Sequence, residues 1–504
     1  MRLLLALFLY TLTARGQTAK PAAYQAEAGV YVPLQGEVPF WQRANQYGIV
    51  PRGEAGGFQP ITTLRGGLRV DYYGKPRTRL DSLRASHRRV DWGWGLDLVL
   101  NSSDLNRQVR LLVPEAYAKV RYRAVEFYAG RRREIIGLVD STVSSGSYVW
   151  SGNALPPLKV QVGTVGWAPI GKFLAINALY AHGWFEYDRF IKGSMLHQKA
   201  LYLRVGRANG RVNLVGGFNH QVQWGGNNEN LPGQFIRNSQ LPAGFRDYID
   251  LVMGNSLNER KLDTTRYSLF DAGNRIGNHL GTVDLGVTFR TKNTEVMLYR
   301  QSIYEDGSLF YLINIADGLH GLRFKNRRAS TGSFHLGTVL FEFLNTYSQG
   351  GSGFVEADPH QRGRDNYFNH GQYRDGWSTH GRTIGTPFIA PATDLPGTFP
   401  GAMLTNNNRV RVYHLGLAGQ LTGGVGFTGK FSFSQNAGTY DQPFRPVANQ
   451  FSGFVGLVTP VAWLGGTLLT TTAAYDRGDL YPNNLGVFVS LKKQGLLHTG
   501  FSRR

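Results

Sequence analysis

The sequence predicts an all-β fold: one closed, antiparallel, transmembrane β-barrel of about 18 strands, between 16 and 20. Three observations predict it. Apolar residues recur at every second position in short runs, as on a strand whose side chains alternate between two faces. Leu64, Gly66, Leu68, Val70 and Tyr72 share one face opposite Arg65, Gly67, Arg69 and Asp71, and Val425, Phe427, Gly429, Phe431 and Phe433 oppose Gly426, Thr428, Lys430, Ser432 and Ser434. An export signal precedes these runs, and no later apolar stretch reaches the length of a membrane helix, Phe173–Ala181 being about half of it. A chain without spanning helices still spans a bilayer if closure pairs every backbone N–H and C=O.

Residues 1–16 read as the signal peptide. Arg2 gives the positive start, Leu3–Leu12 the apolar stretch and Ala14-Arg15-Gly16 the small-x-small site, with cleavage before Gln17. No cysteine exists to carry a lipid anchor, a disulfide or a thiolate ligand. The mature chain, 17–504, reads as one barrel. Its 64 glycines suit tight turns and strand bends, and its 25 Tyr and 9 Trp suit interfacial girdles. An ordinary soluble β-protein is the competing reading of the same composition.

The strands follow in order: Gln25–Val32, Ile61–Tyr73, Val90–Leu100, Glu115–Arg123, Val125–Arg132, Lys159–Gly166, Phe173–Gly183, Leu196–Gly206 and Arg211–Val222. The second half gives Gly281–Arg290, Glu295–Ser302, Gly318–Lys325, Ser333–Leu344, Arg409–Gly419, Val425–Ser434, Gln450–Val458, Gly466–Tyr475 and Leu485–Leu491. Between the first two, 33–60 reads as a periplasmic or plug segment. Pro39 and Gly48 bracket a short helix there, with Phe40, Trp41, Ala44 and Tyr47 near helical spacing. Two long stretches near 225–278 and 346–408 lack strand alternation. Barrels keep long connections outside, so both are expected at the outer face or folded into the lumen.

The formal charge is +21, from 55 Lys and Arg against 34 Asp and Glu, and +19 once Arg2 and Arg15 leave with the signal. Such a surface suits polyanions. In this compartment those are lipopolysaccharide phosphates and acidic polysaccharides; nucleic acid is not expected. Lumen ladders and headgroup contacts would produce the same excess.

The stretch Asp365–Phe388 mixes aromatic and polar side chains as sugar binding requires, ring faces for the pyranose and amides or charges for its hydroxyls. The candidate glycan-binding residues are Asn366, Tyr367, Asn369, Tyr373, Arg374, Asp375, Trp377 and Arg382, the arginines suiting uronate or phosphate. The same residues would equally build a self-packed loop that occludes the pore. Trp224, at the end of a strand, is a girdle residue or a secondary ligand platform. His370 and His380 match no metal-site spacing, so no metal or other cofactor is expected. Gly424–Gly429 matches GxGxxG but lies inside an alternating strand, and neither GxSxG nor HExxH occurs; no catalytic residue is predicted.

Several stretches together resemble the capsule assembly Wzi family of outer-membrane proteins: Leu112–Tyr122, Tyr128–Val160, Leu196–Gly206, Leu214–Gly226, the Asp365–Phe388 loop and Asn406–Leu417. The resemblance implies an 18-stranded barrel with an occluded lumen, and lectin-like binding that helps hold capsular polysaccharide or exopolysaccharide at the cell surface. It implies no catalytic residues; polysaccharide export machinery is a candidate partner of such a binder. Enterobacterial members carry a helical periplasmic part; here only Pro33–Pro60 could serve. The alternative function is a channel for anionic solutes or oligosaccharides.

Overall fold

The computed structural model describes residues 22–68, 90–102, 109–257, 263, 265–305, 308–328, 332–355, 363–397 and 403–497. The signal peptide and residues 69–73 of the second expected strand lie outside the described residues.

Eighteen antiparallel strands close into a barrel. They are β1 (Ala22–Gln35), β2 (Gln59–Gly67), β3 (Val90–Ser102), β4 (Val109–Tyr122), β5 (Val125–Arg131), β6 (Leu158–Thr164, continued by Ala168–Ile170), β7 (Leu174–Trp184), β8 (Met195–Val205) and β9 (Val212–Trp224). The rest are β10 (Asn278–Arg290), β11 (Thr294–Glu305), β12 (Gly318–Asn326), β13 (Phe334–Asn345), β14 (Val410–Leu421), β15 (Gly426–Gly438), β16 (Pro443–Val461), β17 (Thr467–Gly478) and β18 (Asn484–Leu497). Each pairs with its neighbours in sequence, and β18 returns to β1, from Ala22 opposite Leu497 to Gln35 opposite Leu485. Closure leaves no edge, so the ladder satisfies the backbone within lipid. The two pieces of β6 share β7 as partner, which makes nineteen ladder segments eighteen barrel strands.

Every expected strand is present. The expected alternation holds because the two faces meet different solvents. On β5, Val125 and Phe127 are exposed on the lipid side while Glu126 and Tyr128 are buried in the lumen. On β15, Phe433 faces out and Ser432 and Ser434 face in. Several strands run past their expected ends; β16 begins at Pro443 rather than Gln450, where prolines at 443 and 446 mask the pattern.

Odd-numbered strands all run towards one end. Six of the connections there are long, 36–58, 132–157, 185–194, 225–277, 306–317 and 346–409, while 439–442 and 479–483 are short. The described turns at the other end, which also holds both barrel termini, are short, two residues at 123–124 and three at 291–293. Short turns mark the periplasmic end of such barrels and long loops the outer end. Of the two readings of the 33–60 segment the periplasmic one is corrected, since the connection leaves β1 at the long-loop end, and the plug reading is the one its lumen contacts fit. Its helix is a single turn, α1 (Phe40–Arg43), all four residues buried.

Three of these connections fold inward and fill the lumen. All residues from Val143 to Pro157 are buried. Ser144 Oγ and the Ser145 N–H donate to the Glu342 carboxylate at 2.8 and 2.6 Å, and the Tyr148 hydroxyl donates to Glu305 at 3.1 Å. Gly416 of β14 permits this approach, since a Cβ there would lie 2.2 Å from the Val143 carbonyl oxygen. From 36–58, the Phe40 N–H donates to Asp476 and the Gln42 amide to Thr472, 2.8 and 2.9 Å. Trp41, Tyr148, Trp150, Tyr367, Phe368, Trp377 and Phe388 belong to one continuous core cluster.

Candidate functional site

The Asp365–Phe388 stretch divides between the plug and the outer face. Its aromatics are plug. Trp377 and Tyr367 are fully buried and Tyr373 is 1% exposed. Trp377 Nε1 donates to the Val149 carbonyl at 2.8 Å, the Tyr367 hydroxyl to Asp317 at 2.9 Å, and the Tyr373 hydroxyl to the Gly225 carbonyl at 3.3 Å. No ring face remains for a sugar, so the stacking role expected of Tyr367, Tyr373 and Trp377 is corrected: their apolar faces are worth more in the core than at a solvated surface. The self-packed reading of this loop is the one the fold adopts. Asp375 accepts from the Phe190 N–H at 2.5 Å and ties this stretch to 185–194. Arg374 is exposed, its guanidinium 4.9 Å from the Phe190 ring centre. Arg382 donates to the Val50 carbonyl at 3.0 Å.

Trp224 is neither a girdle residue nor a platform. It sits on the outward face of β9, but a helix, α2 (Phe245–Met253), covers it, with Tyr248 5.2 Å away between ring centres. Only 4% of it is exposed.

Asn366 and Asn369 do reach open space. They line a cavity of about 390 Å³ at the outer end, where the 225–277 connection meets 346–409. Phe270, Asn274, Arg275, Asn278, Phe354 and Arg364 line it as well, together with Glu305 and Asp365. The two connections are locked together. Ser268 caps a short helix, α3 (Leu269–Gly273), its hydroxyl accepting from the Asp271 N–H at 3.1 Å. Asp271 in turn accepts from the Gln372 amide at 2.9 Å. His370 lies between Phe270 and Tyr373, ring centres 5.4 Å from each, and its Nδ1 accepts from the Gln372 and Tyr373 N–H groups at 3.2 and 3.3 Å. Burial pushes its imidazole down to about 4, so it is neutral at physiological pH.

The cavity wall offers amides, guanidiniums, carboxylates and an exposed ring. Asn369 and Asn366 spend part of their capacity on framing it: Asn369 exchanges hydrogen bonds with the Thr405 backbone at 2.9 and 3.0 Å, and Asn366 Oδ1 accepts from Asn408 at 2.6 Å. Asn278 is 4% exposed, and its Nδ2 has no hydrogen-bond partner among the described residues. A buried amide left so is destabilising by about 1–3 kcal/mol until a ligand or water meets it. Phe354 is 57% exposed and Arg364 is exposed beside it. Sequence reasoning missed Phe270, Arg275, Asn278, Phe354 and Arg364. None sits in a motif; their only signal was membership of, or contact with, the two long connections.

Two further cavities flank residues 48–50. One, about 330 Å³ towards the periplasmic end, is lined by Glu27, Ile49, Arg65, Arg133 and Lys492. The other, about 320 Å³ on the outer side, is lined by Gly48, Val50, Arg52, Arg110, His380 and Arg382.

No family model matches the chain, and no curated protein sequence matches it. Solved structures that are similar to it include Pseudomonas aeruginosa OccK5 (OpdH), at 10% identity and a TM-score of 0.44, covering 95% of this chain and 98% of that one. Pseudomonas aeruginosa OpdK is similar at 11% identity and a TM-score of 0.43, covering 94% and 99%. The outer membrane channel DcaP of Acinetobacter baumannii is similar at 9% identity and a TM-score of 0.38, covering 96% and 99%. The likeness extends to barrel architecture and no further. With its closed ladder and apolar outer belt, the chain is an outer-membrane β-barrel.

Proposed function

We propose that this barrel is an occluded, non-enzymatic binder of surface polysaccharide, which helps hold capsular polysaccharide or exopolysaccharide at the cell surface. The observation that carries the reading is the outer cavity, where the unpartnered Asn278 amide and the exposed Phe354 ring share one space with Arg275 and Arg364, the latter paired with Asp441, and with the Glu305 and Asp365 carboxylates. Amide donors suit sugar hydroxyls, guanidiniums suit uronate or phosphate, and an open ring suits the apolar face of a pyranose. The resemblance to the capsule assembly Wzi family points the same way, and polysaccharide export machinery is a candidate partner. Co-sedimentation of the purified protein with acidic capsular polysaccharides tests this. Binding by wild type that is weakened about tenfold in Phe354→Ala/Arg364→Ala supports it; equal binding by both, or none by wild type, refutes it.

A second reading, a channel for anionic solutes, rests on the two basic cavities separated by 48–50. Displacement of that short segment would join them into a cation-lined path. Planar-bilayer recording separates the readings: a steady anion-selective conductance supports the channel, and silence supports the occluded binder.

A further inference from the structure

The outer wall of β7, β8 and β9 changes character along its height. Lower down, the outward positions are apolar and exposed, as at Leu201, Leu203, Leu214 and Phe218. Higher up, the same alternation turns His182, His197, Lys199 and His220 towards the lipid side, followed by Trp224 at the strand end. A bare lysine on the lipid face of a barrel is destabilising by about 2–4 kcal/mol at the midplane and less near the interface.

Helix α2 lies over these positions on the outside of the barrel. The Tyr248 hydroxyl is 2.8 Å from that of Tyr180 and 3.2 Å from His197 Nδ1, and Lys199 Nζ donates to the Val252 carbonyl. Leu251 packs with Val222 and Trp224. Gly254 ends the helix in the left-handed conformation, φ 71°, its N–H capping the Asp250 and Leu251 carbonyls. The inner face of α2 is thus accounted for. Its outer face carries Phe245, Ile249 and Met253, four residues apart on one stripe, exposed by 80, 47 and 71%. Arg246 is exposed beside them.

We propose that α2 is an interfacial anchor seated in the outer leaflet of the membrane, with Phe245, Ile249 and Met253 among the lipid acyl chains and Arg246 at the level of the lipid phosphates. The stripe takes up the apolar belt of β8 and β9 where the wall itself turns polar, and a short helix with one apolar and one polar face lies in the plane of a headgroup boundary. The helix shields the histidines and Lys199 from lipid and presents lipid with the surface that the wall lacks.

The absence of cysteine makes the test direct. Full-length Ile249→Cys and, as a second probe, Met253→Cys are labelled with an environment-sensitive fluorophore and reconstituted into phosphatidylglycerol vesicles whose acyl chains carry doxyl quenchers. Leu203→Cys marks the lipid belt and Asp441→Cys the exposed outer loops. The expected result is doxyl quenching at 249 and 253 at least about half that at 203, with iodide quenching well below that at 441. Iodide quenching equal to that at 441 would place the stripe in water and overturn the proposal. Quenching relieved by dilution with unlabelled protein would assign the stripe to a second copy of the chain and overturn it equally.

Discussion

The plug and the outer cavity use the same kinds of residue to opposite ends. In the plug, Tyr367, Trp377, Ser144 and Glu342 direct their polar atoms at one another or at backbone, and their apolar surfaces are sealed. In the cavity, Asn278, Arg275, Arg364 and Phe354 face a common space of about 390 Å³. Composition alone does not distinguish a binding surface from a stopper. What distinguishes them is how much donor capacity the fold leaves open: Asn278 Nδ2 has no partner among the described residues, while Arg275 Nε already donates to the Gly254 carbonyl and Arg364 pairs with Asp441.

The comparison can be broken at four points. The largest effect is expected of Trp377→Ala, which empties a fully buried indole site and frees the Val149 carbonyl. Thermal melting in detergent should report a loss of about 3–5 kcal/mol; no change would mean that the plug is not packed. Glu342→Ala comes next. It removes the acceptor that holds Ser144 and Ser145 against the wall. Unpaired buried donors are destabilising by about 1–3 kcal/mol each, so limited proteolysis should reach 140–150 in the variant and spare wild type. On the cavity side, Phe354→Ala/Arg364→Ala should leave melting unchanged while weakening polysaccharide binding about tenfold, about 1.4 kcal/mol. A melting loss in place of a binding loss would move these residues into the framework.

The smallest effect is a pH dependence. The folded-state His370 imidazole is lowered to about 4 by burial, from an ordinary 6.5. Above about 6.5 it is neutral folded or unfolded and contributes nothing to the slope. As pH falls from about 6.5 towards 4, the unfolded chain takes the proton first, so stability is lost across that window. Melting curves of wild type and His370→Gln should diverge there and run parallel above it; parallel curves throughout would contradict the buried, neutral assignment.

The barrel was legible in the sequence because lipid and lumen impose alternation residue by residue. Phe127 beside Glu126 and Phe433 beside Ser432 declare their faces without any partner in view. Connections carry no such rule. The stretch Asp365–Phe388 could be read as stopper or as sugar platform, and burial, which decides between them, depends on Val149, Asp317 and Gly225, far away in the chain. Asn278 was invisible for the same reason: it starts a strand, and its significance comes from meeting Asn366 and Asn369 across a gap that only tertiary folding closes. Trp224 was placed on the correct strand, but its cover, α2, lies some twenty residues on and packs on the outside, a placement that strand alternation cannot encode.

Hydrogen–deuterium exchange of the full-length protein, with and without an acidic capsular polysaccharide, tests the contrast between plug and cavity most directly. The account predicts added protection in 270–278 and 363–371 and no change in 143–157 or 377–390, which are slow to exchange in both states. Added protection confined to 48–52, or none anywhere at saturating polysaccharide, would contradict it.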